Sequence, residues 1–462
     1  MSVIGAIMVP HPPILLPEVG QGEEKKIAAS DSAYRKAALF AAELKPETVV
    51  LSSPHSVMYA DWFHISPGRS ARGDMGQFRA PQLRFQVSYD EEFTGELTKL
   101  AEKEGFPAGT LGERSAALDH GTMIPLYYLD KYYSDYKLVR IGLSGLSLKE
   151  HYRLGQMIAR TSEKLGRRVL FIGSGDLSHK LLAEGPYGFV PEGPAYDERI
   201  MDVMGQAAFD ELLDFDEAFC DKAAECGHRS FCMMAGALDG KALETEKLSH
   251  EVTFGVGYGI CTYRVTGDDP ERQMLKKWEE RRGRLLDERR RNEDPWVRLA
   301  RAEVEAWIRE RRRIEPPADL PAEMLSAKAG VFVSLHKDGR LRGCIGTIEP
   351  SRCCVAEEII ENAISASSRD PRFSPVREDE LDSLEISVDV LAPPEKISSK
   401  DELDVKRYGV IVTNGRNWGL LLPNLDGVDT VDEQVSIALR KAGLSEREKG
   451  YEMERFEVVR HV

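Results

Sequence analysis

The stretch RVLFIGSGDLSH, Arg168 to His179, passes within twelve residues from an unbroken apolar run into glycine, serine, aspartate and histidine. A run such as VLFI has the character of a strand buried on both faces, and the polar residues come directly behind it. The same order occurs twice upstream. VIGAIMV leads into Pro10-His11-Pro12-Pro13, and TVVLSSP leads into Ser53-Pro54-His55. KLVRIGL, from Lys137, adds another apolar run, and helix-like stretches lie between the runs at Lys25 to Leu44 and Leu148 to Leu165. This alternation predicts an α/β domain with a largely central sheet, in which ligand sites collect at the carboxyl ends of the strands.

At 462 residues the chain is long enough for two or three domains of roughly 150 residues. With 42% hydrophobic and 30% charged residues it has the balance of globular protein. The net charge of −15 and pI near 5.3 exclude a basic surface over the whole molecule, so nucleic acid is not an expected partner. The start MSVIGAIMVPHPPILLP lacks a basic region before an apolar core, and no run of about 18 apolar residues occurs, which predicts a cytoplasmic protein without a membrane span. Seven cysteines without a CxxC predict reduced thiols and no zinc ribbon. Cys220, Cys226 and Cys232 recur every six residues, a spacing that cannot converge on one ion from a single helix, and they are expected as core or exposed thiols.

Around Val265 the pattern changes, and residues 267–293 become a charged helical linker between a first domain over 1–266 and a second over 294–462. Asp294-Pro295 has the form of a helix start, a capping aspartate with proline at the first turn. Beyond it lie a strand pair about Lys337-Asp338-Gly339, a helix Val355 to Ser368, the strand LEISVDVL, a pair about Gly415-Arg416, and a helix Val431 to Ala442. Tight hairpins among helices make this half α+β.

Taken singly, each histidine of the first half reads as a hydrogen-bonded structural residue. Together they form a pattern: His11, His55, Asp119-His120-Gly121, Gly175-Asp176-Leu177-Ser178-His179 and Glu225-Cys226-Gly227-His228. Neutral imidazole ligates Fe(II), Zn(II) and Mn(II), and two histidines with one carboxylate leave open positions for substrate and oxygen. His11, His55 and Glu225 supply that set. Their near imidazole nitrogens are then expected about 3 to 3.5 Å apart. His120 and His179 are candidates to move protons, since imidazole titrates near neutrality.

These motifs, in this order, resemble the class III extradiol ring-cleavage dioxygenases, the LigB-like fold that includes Memo, over roughly residues 1 to 265. The resemblance implies a non-haem Fe(II), with Zn(II) or Mn(II) as alternatives, held by His11, His55 and Glu225. It implies His179 as acid/base, with His120 contacting substrate or oxygen and Asp176 orienting the loop or a ligand. The Memo branch departs from the carboxylate, which leaves Cys226 or His228 as alternatives to Glu225. Besides an oxidoreductase acting on a small-molecule or protein substrate, a metal-binding scaffold and a metal-dependent hydrolase fit the same ligands.

The second half resembles the AMMECR domain through LRGCIGT (Leu341 to Thr347), RDPRFSP (Arg369 to Pro375), EISV (Glu385 to Val388) and GLLLP (Gly419 to Pro423). The fusion resembles proteins of the AmmeMemoRadiSam system, which implies Memo-like and radical SAM partners; a homo-oligomer stays open. Glycines flanking Cys344 permit close backbone approach, Arg342 can fork onto a carboxylate or phosphate, and a thiol can be a nucleophile. Arg342, Cys344, Arg369 and Arg372 are therefore expected on one concave, anion-binding surface, where Arg342→Ala weakens binding with little loss of stability. The competing reading is a tight strand-turn in which Asp370 pairs with the arginines and holds the loop.

Overall fold

The computed structural model describes residues 3–114, 117–425, 427–445 and 450–462. The chain divides into two compact units, Met1–Glu280 and Arg281–Val462.

In the first unit the apolar runs become the strands β1 (Val3–Val9), β2 (Thr48–Ser53), β5 (Lys137–Gly142) and β6 (Val169–Ser174). Two strands of a separate hairpin, β3 (Ser70–Met75) and β4 (Ala80–Ser88), lie between β2 and β5 in the chain, and β7 (Lys241–Glu251) and β8 (Tyr258–Asp268) close the unit. The sheet runs β5-β2-β6-β1-β8-β7. β5, β2, β6 and β1 are parallel, and β8 turns the sheet antiparallel at β1. The parallel strands are buried along nearly all their length because both faces are covered. Val3, Ala6 and Met8 of β1 face one core, shared with Leu154 and Ile158 of α3 (Leu148–Leu165) and Phe231 of α4 (His228–Ala237). Ile7 and Val9 face the other, built with Ala37 and Ala41 of α1 (Ala28–Leu44) and Ile124 of α2 (His120–Leu129). The helix expected from Lys25 starts as a 3-10 turn over Glu23–Ile27 and becomes α-helical at Ala28.

Most of the charged segment is helical. β8 runs to Asp268, and the helix α5 (Met274–Asn292) contains the division between the units. In the first unit, buried Trp278 donates its Nε1–H to Asp214. In the second, Arg282 and Arg289 pair with Glu385.

The second unit is α+β. After α6 (Pro295–Glu310), capped by the Asp294 carboxylate, come β9 (Val331–Lys337), β10 (Arg340–Gly346), α7 (Val355–Ser368), β11 (Leu384–Leu391), β12 (Tyr408–Thr413), β13 (Trp418–Leu421), α8 (Val431–Lys441) and β14 (Glu452–His461). All these strands pair antiparallel, in the order β10-β9-β11-β14-β12-β13. The β9–β10 turn is the one expected, with positive φ at Asp338 (52°) and Gly339 (77°). Among the described residues no helix is long and apolar enough to cross a membrane.

Glu303 of α6 is fully buried; one carboxylate oxygen accepts from Ile314 N–H at 2.8 Å and the other has no partner among the described residues. Burial pushes this carboxyl up to about 7, against about 4.3 in an unfolded chain. Through that window the folded state holds a proton the unfolded chain has lost, so the contribution to stability is full below about pH 4 and is lost as pH rises through 7. Glu303→Gln, which cannot ionise, is expected to flatten the fall of the unfolding midpoint between pH 5 and 8. Parallel midpoint-against-pH curves for variant and wild type would overturn this.

Candidate metal centre

Because β2, β6 and β1 are parallel neighbours, their carboxyl ends lie side by side, and each hands over a polar residue there. β1 delivers His11, β2 delivers His55, and β6 delivers Ser174 and the loop to His179. The fourth contribution is the start of α2. Its capping residue Asp119 accepts from Thr122 N–H at 2.9 Å and from the Ser53 hydroxyl at 2.5 Å, which ties the helix to the end of β2. His120 consequently lies 4.0 Å from His55 and 5.4 Å from His11, ring centre to ring centre.

The tautomer of His11 follows from its partners. The Ser174 hydroxyl donates to Gly121 C=O at 2.6 Å, so toward His11 it can only accept, and Nδ1 of the ring donates to it at 2.9 Å. Nε2 is left bare. It faces Nε2 of His55 at 3.0 Å and Sγ of Cys226 at 3.6 Å. Ligand atoms of His11, His55 and Cys226 all lie within 4.8 Å of one another, with His11 buried, Cys226 half-buried and His55 exposed. Bonds of about 2.1 Å from nitrogen and about 2.3 Å from sulfur to one ion span the 3.0 and 3.6 Å separations from His11 Nε2. The donor set therefore fits a divalent metal, with a thiol where a carboxylate was expected.

Two glycines explain how Cys226 arrives. A Cβ on Gly175 would sit 2.1 Å from Cα of Gly227, so the loops behind β6 and before α4 touch backbone to backbone. In that contact Cys226 N–H and Gly227 N–H both donate to Asp176 C=O, while Asp176 N–H donates to Cys226 Sγ at 3.3 Å. The Asp176 carboxylate accepts from His11 N–H at 2.7 Å, so it holds the histidine's backbone and its own loop.

Burial, followed by the nearness of His55, holds His11 well below the ordinary imidazole range. Burial also lowers His55, and His120 is held down to about 4 by burial and by His55 and His11. At neutral pH the three rings are uncharged, the form that ligates metals. Burial raises the Cys226 thiol and the Asp176 carboxyl.

Glu225 does not join the cluster. Its carboxylate accepts from His228 N–H at 2.6 Å at the start of α4, and burial pushes it up to about 7. His228 is also turned away: Nε2 bonds Leu212 C=O at 2.9 Å and Nδ1 meets Tyr196 Oη at 3.2 Å. Adjacent residues point apart, and the thiol faces the histidines. Cys220, in the helix Glu217–Ala223, and Cys232, in α4, are the buried thiols expected, whereas Cys226 differs from that expectation because its Sγ faces His11 Nε2. His179 sits beyond Asp176 with its ring edge-on to Tyr187 at 5.3 Å, and its buried Nδ1 has no partner among the described residues. Exposed His55 and half-buried His120 line a cavity of about 1030 Å³ that the β3–β4 hairpin also lines.

In the second unit the expected anion site is not formed, because each guanidinium already has a carboxylate. Arg342 forks onto Glu380 at 3.0 and 2.9 Å and donates to Ser374 C=O and Pro375 C=O. Arg372 pairs with Asp370 at 2.7 Å and donates to Cys344 C=O, and Arg369 pairs with Glu361 at 3.0 Å. Asp370 also accepts from Cys344 N–H at 2.9 Å. Half-buried Cys344 accepts at Sγ from the Ser334 hydroxyl. Although burial would raise Glu380, its bonds with Arg342, Arg377 N–H and Lys337 outweigh that and hold it down to about 2. Arg342→Ala would strip a buried carboxylate of its forked partner and is expected to destabilise this unit by about 3 kcal/mol. A shift below about 0.5 kcal/mol in urea unfolding would overturn that.

A parallel sheet with histidines gathered at its strand ends, followed by an antiparallel second unit, defines a protein of two units, α/β and α+β, with a candidate metal centre in the first. Residues 5–261 match the family described as the catalytic LigB subunit of aromatic ring-opening dioxygenase, and residues 297–461 match the AMMECR1 family. The chain belongs to the LigB family, with an AMMECR1 domain fused behind it. A protein of Clostridium acetobutylicum is 41% identical over 469 residues, covering 100% of this chain and 99% of the relative. A Thermotoga maritima protein is 49% identical over 170 residues, covering 37% of this chain and 98% of the relative. The crystal structure of protein PH0010 from Pyrococcus horikoshii is 35% identical, covers 36% of this chain and 88% of its own, and has a TM-score of 0.34.

Proposed function

We propose that the first domain is a metal-dependent oxidoreductase of the ring-cleaving kind, with Fe(II) held by His11, His55 and Cys226. The observation that carries this reading is the convergence of two neutral imidazoles and one thiol beside an open cavity. A divalent ion supplies Lewis acidity there and, as iron, electron exchange with dioxygen. The chain's own residues do the rest. Ser174 fixes the tautomer that presents His11 Nε2, and Asp176 fixes the backbone of His11. His120, neutral at the cavity floor, contacts the substrate, and His179 Nδ1, without a partner, takes and returns a proton.

The test is anaerobic purification, ferrous loading, and oxygen uptake with a panel of catechols. Uptake that disappears in His11→Ala supports the reading. Tight metal binding with no uptake on any catechol sinks the dioxygenase part. The thiol favours one alternative, since a softer donor suits Zn(II), and zinc points to a hydrolase or a metal-binding interaction module. Metal analysis that finds zinc and no iron would select it.

For the second domain the internal pairing of Arg342, Arg369 and Arg372 supports a docking role through its outer surface, with Memo-like and radical SAM proteins as partners. Co-purification of tagged full-length chain with such proteins tests this, and their absence from the eluate counts against it.

A further inference from the structure

The hairpin that lines the cavity with His55 and His120 carries charged side chains on its cavity face. In the β3–β4 register Arg72 stands opposite Gln86 and Asp74 opposite Arg84. Directly opposed residues share a face, as do residues two apart in a strand, so these four form one polar patch with the two arginines on its diagonal. All four line the cavity that reaches His55 and His120. The hairpin's other face anchors it, with Met75 and Val87 buried in the core of the first unit.

Neither guanidinium forms an ion pair among the described residues. Arg72 has no side-chain partner there, and Arg84 makes one long bond, 3.4 Å, to Pro81 C=O. The Asp74 carboxylate opposite Arg84 accepts instead from Gly76 N–H at 2.8 Å. This contrasts with Arg342 and Arg372, whose forks are filled by carboxylates. Diagonal neighbours lie about 7 to 8 Å apart at Cα, a spacing from which two arginine side chains can close on one anion. A volume of about 1030 Å³ is at the upper end for small-molecule sites, with room for more than a single ring.

We propose that Arg72 and Arg84 are specificity-determining residues that bind a carboxylate or phosphate monoester on a small-molecule substrate, whose other end reaches His55 and His120. This rests on the metal-centre reading for the role of that other end, and not for the anion contact itself.

The test uses full-length wild type and R72Q/R84Q, each with and without ferrous ion. In metal-free protein, ligand-observed NMR is recorded with benzoate, phenyl phosphate and neutral benzyl alcohol. The expected result is saturable binding of one or both anions, weakened roughly tenfold or more in R72Q/R84Q, with the alcohol unchanged; the two anions distinguish carboxylate from phosphate. In loaded protein, 3,4-dihydroxybenzoate or 3,4-dihydroxyphenyl phosphate should bind roughly tenfold more tightly than catechol, and the double variant should abolish that preference while keeping its metal. Equal anion binding by wild type and variant, or none by wild type, overturns the proposal. Loss of metal from an anion-binding wild type would instead count against the metal reading alone. Both arginines are exposed, and matching unfolding midpoints confirm that the variant is folded.

Discussion

Cys226→Ser should emerge from ferrous loading with its metal affinity reduced by at least roughly 100-fold, more than the 10–100-fold typical of losing an outer partner, while Glu225→Gln keeps a full complement. The two residues are adjacent, and a ligand set taken from the family's carboxylate pattern requires the opposite result. The difference lies in direction. Cys226 Sγ is 3.6 Å from the bare Nε2 of His11, and the Glu225 carboxylate is bonded to His228 N–H at the start of α4. His55→Ala should also empty the site, because it removes a ring nitrogen 3.0 Å from His11 Nε2. Equilibrium dialysis followed by elemental analysis reads all three variants. If Glu225→Gln loses metal and Cys226→Ser retains it, the thiol is a bystander and the cluster assignment fails.

His179→Ala should behave differently, with metal content near wild type and turnover lower by roughly 10²–10⁴-fold. The loop that carries it is held without its ring. Ser178 N–H donates to Asp197 at 2.8 Å and His179 N–H to Ala223 C=O at 3.2 Å. Its ring stands edge-on to Tyr187, and its buried Nδ1 has no hydrogen-bond partner among the described residues. A proton-transfer group is expected to show as a fall in kcat larger than the change in KM. Should His179→Ala empty the site as thoroughly as His55→Ala, His179 is a ligand and its role here is wrong.

Much of this was readable from residues close together in the chain. Apolar runs such as Val169–Ile172 are buried on both sides, and that continuity is a local property, so the parallel sheet and the position of His11 and His55 behind its strands could be inferred from order alone. The hairpin at Asp338-Gly339 was legible for the same reason, since turn chemistry depends on two residues. The helix over residues 355–368 came out with the ends its periodicity implied.

The third ligand was not legible in this way. Whether position 225 or 226 faces the histidines depends on a backbone contact between Gly175 and Gly227, and the thiol meets His11 across 215 residues of chain. The arginines divide along the same line. Sequence shows guanidiniums beside glycines at Arg342 and Arg372, and tertiary structure fills them with Glu380 and Asp370. It leaves Arg72 and Arg84, which no motif marks, lining the cavity without an ion pair among the described residues. Sequence by itself determined the elements and the strand ends at which chemistry gathers, because periodicity and turn preference act over a few residues. Only the tertiary structure decided which side chains face one another, because a hydrogen bond or a metal bond is fixed by direction and by tenths of an ångström between distant parts of the chain.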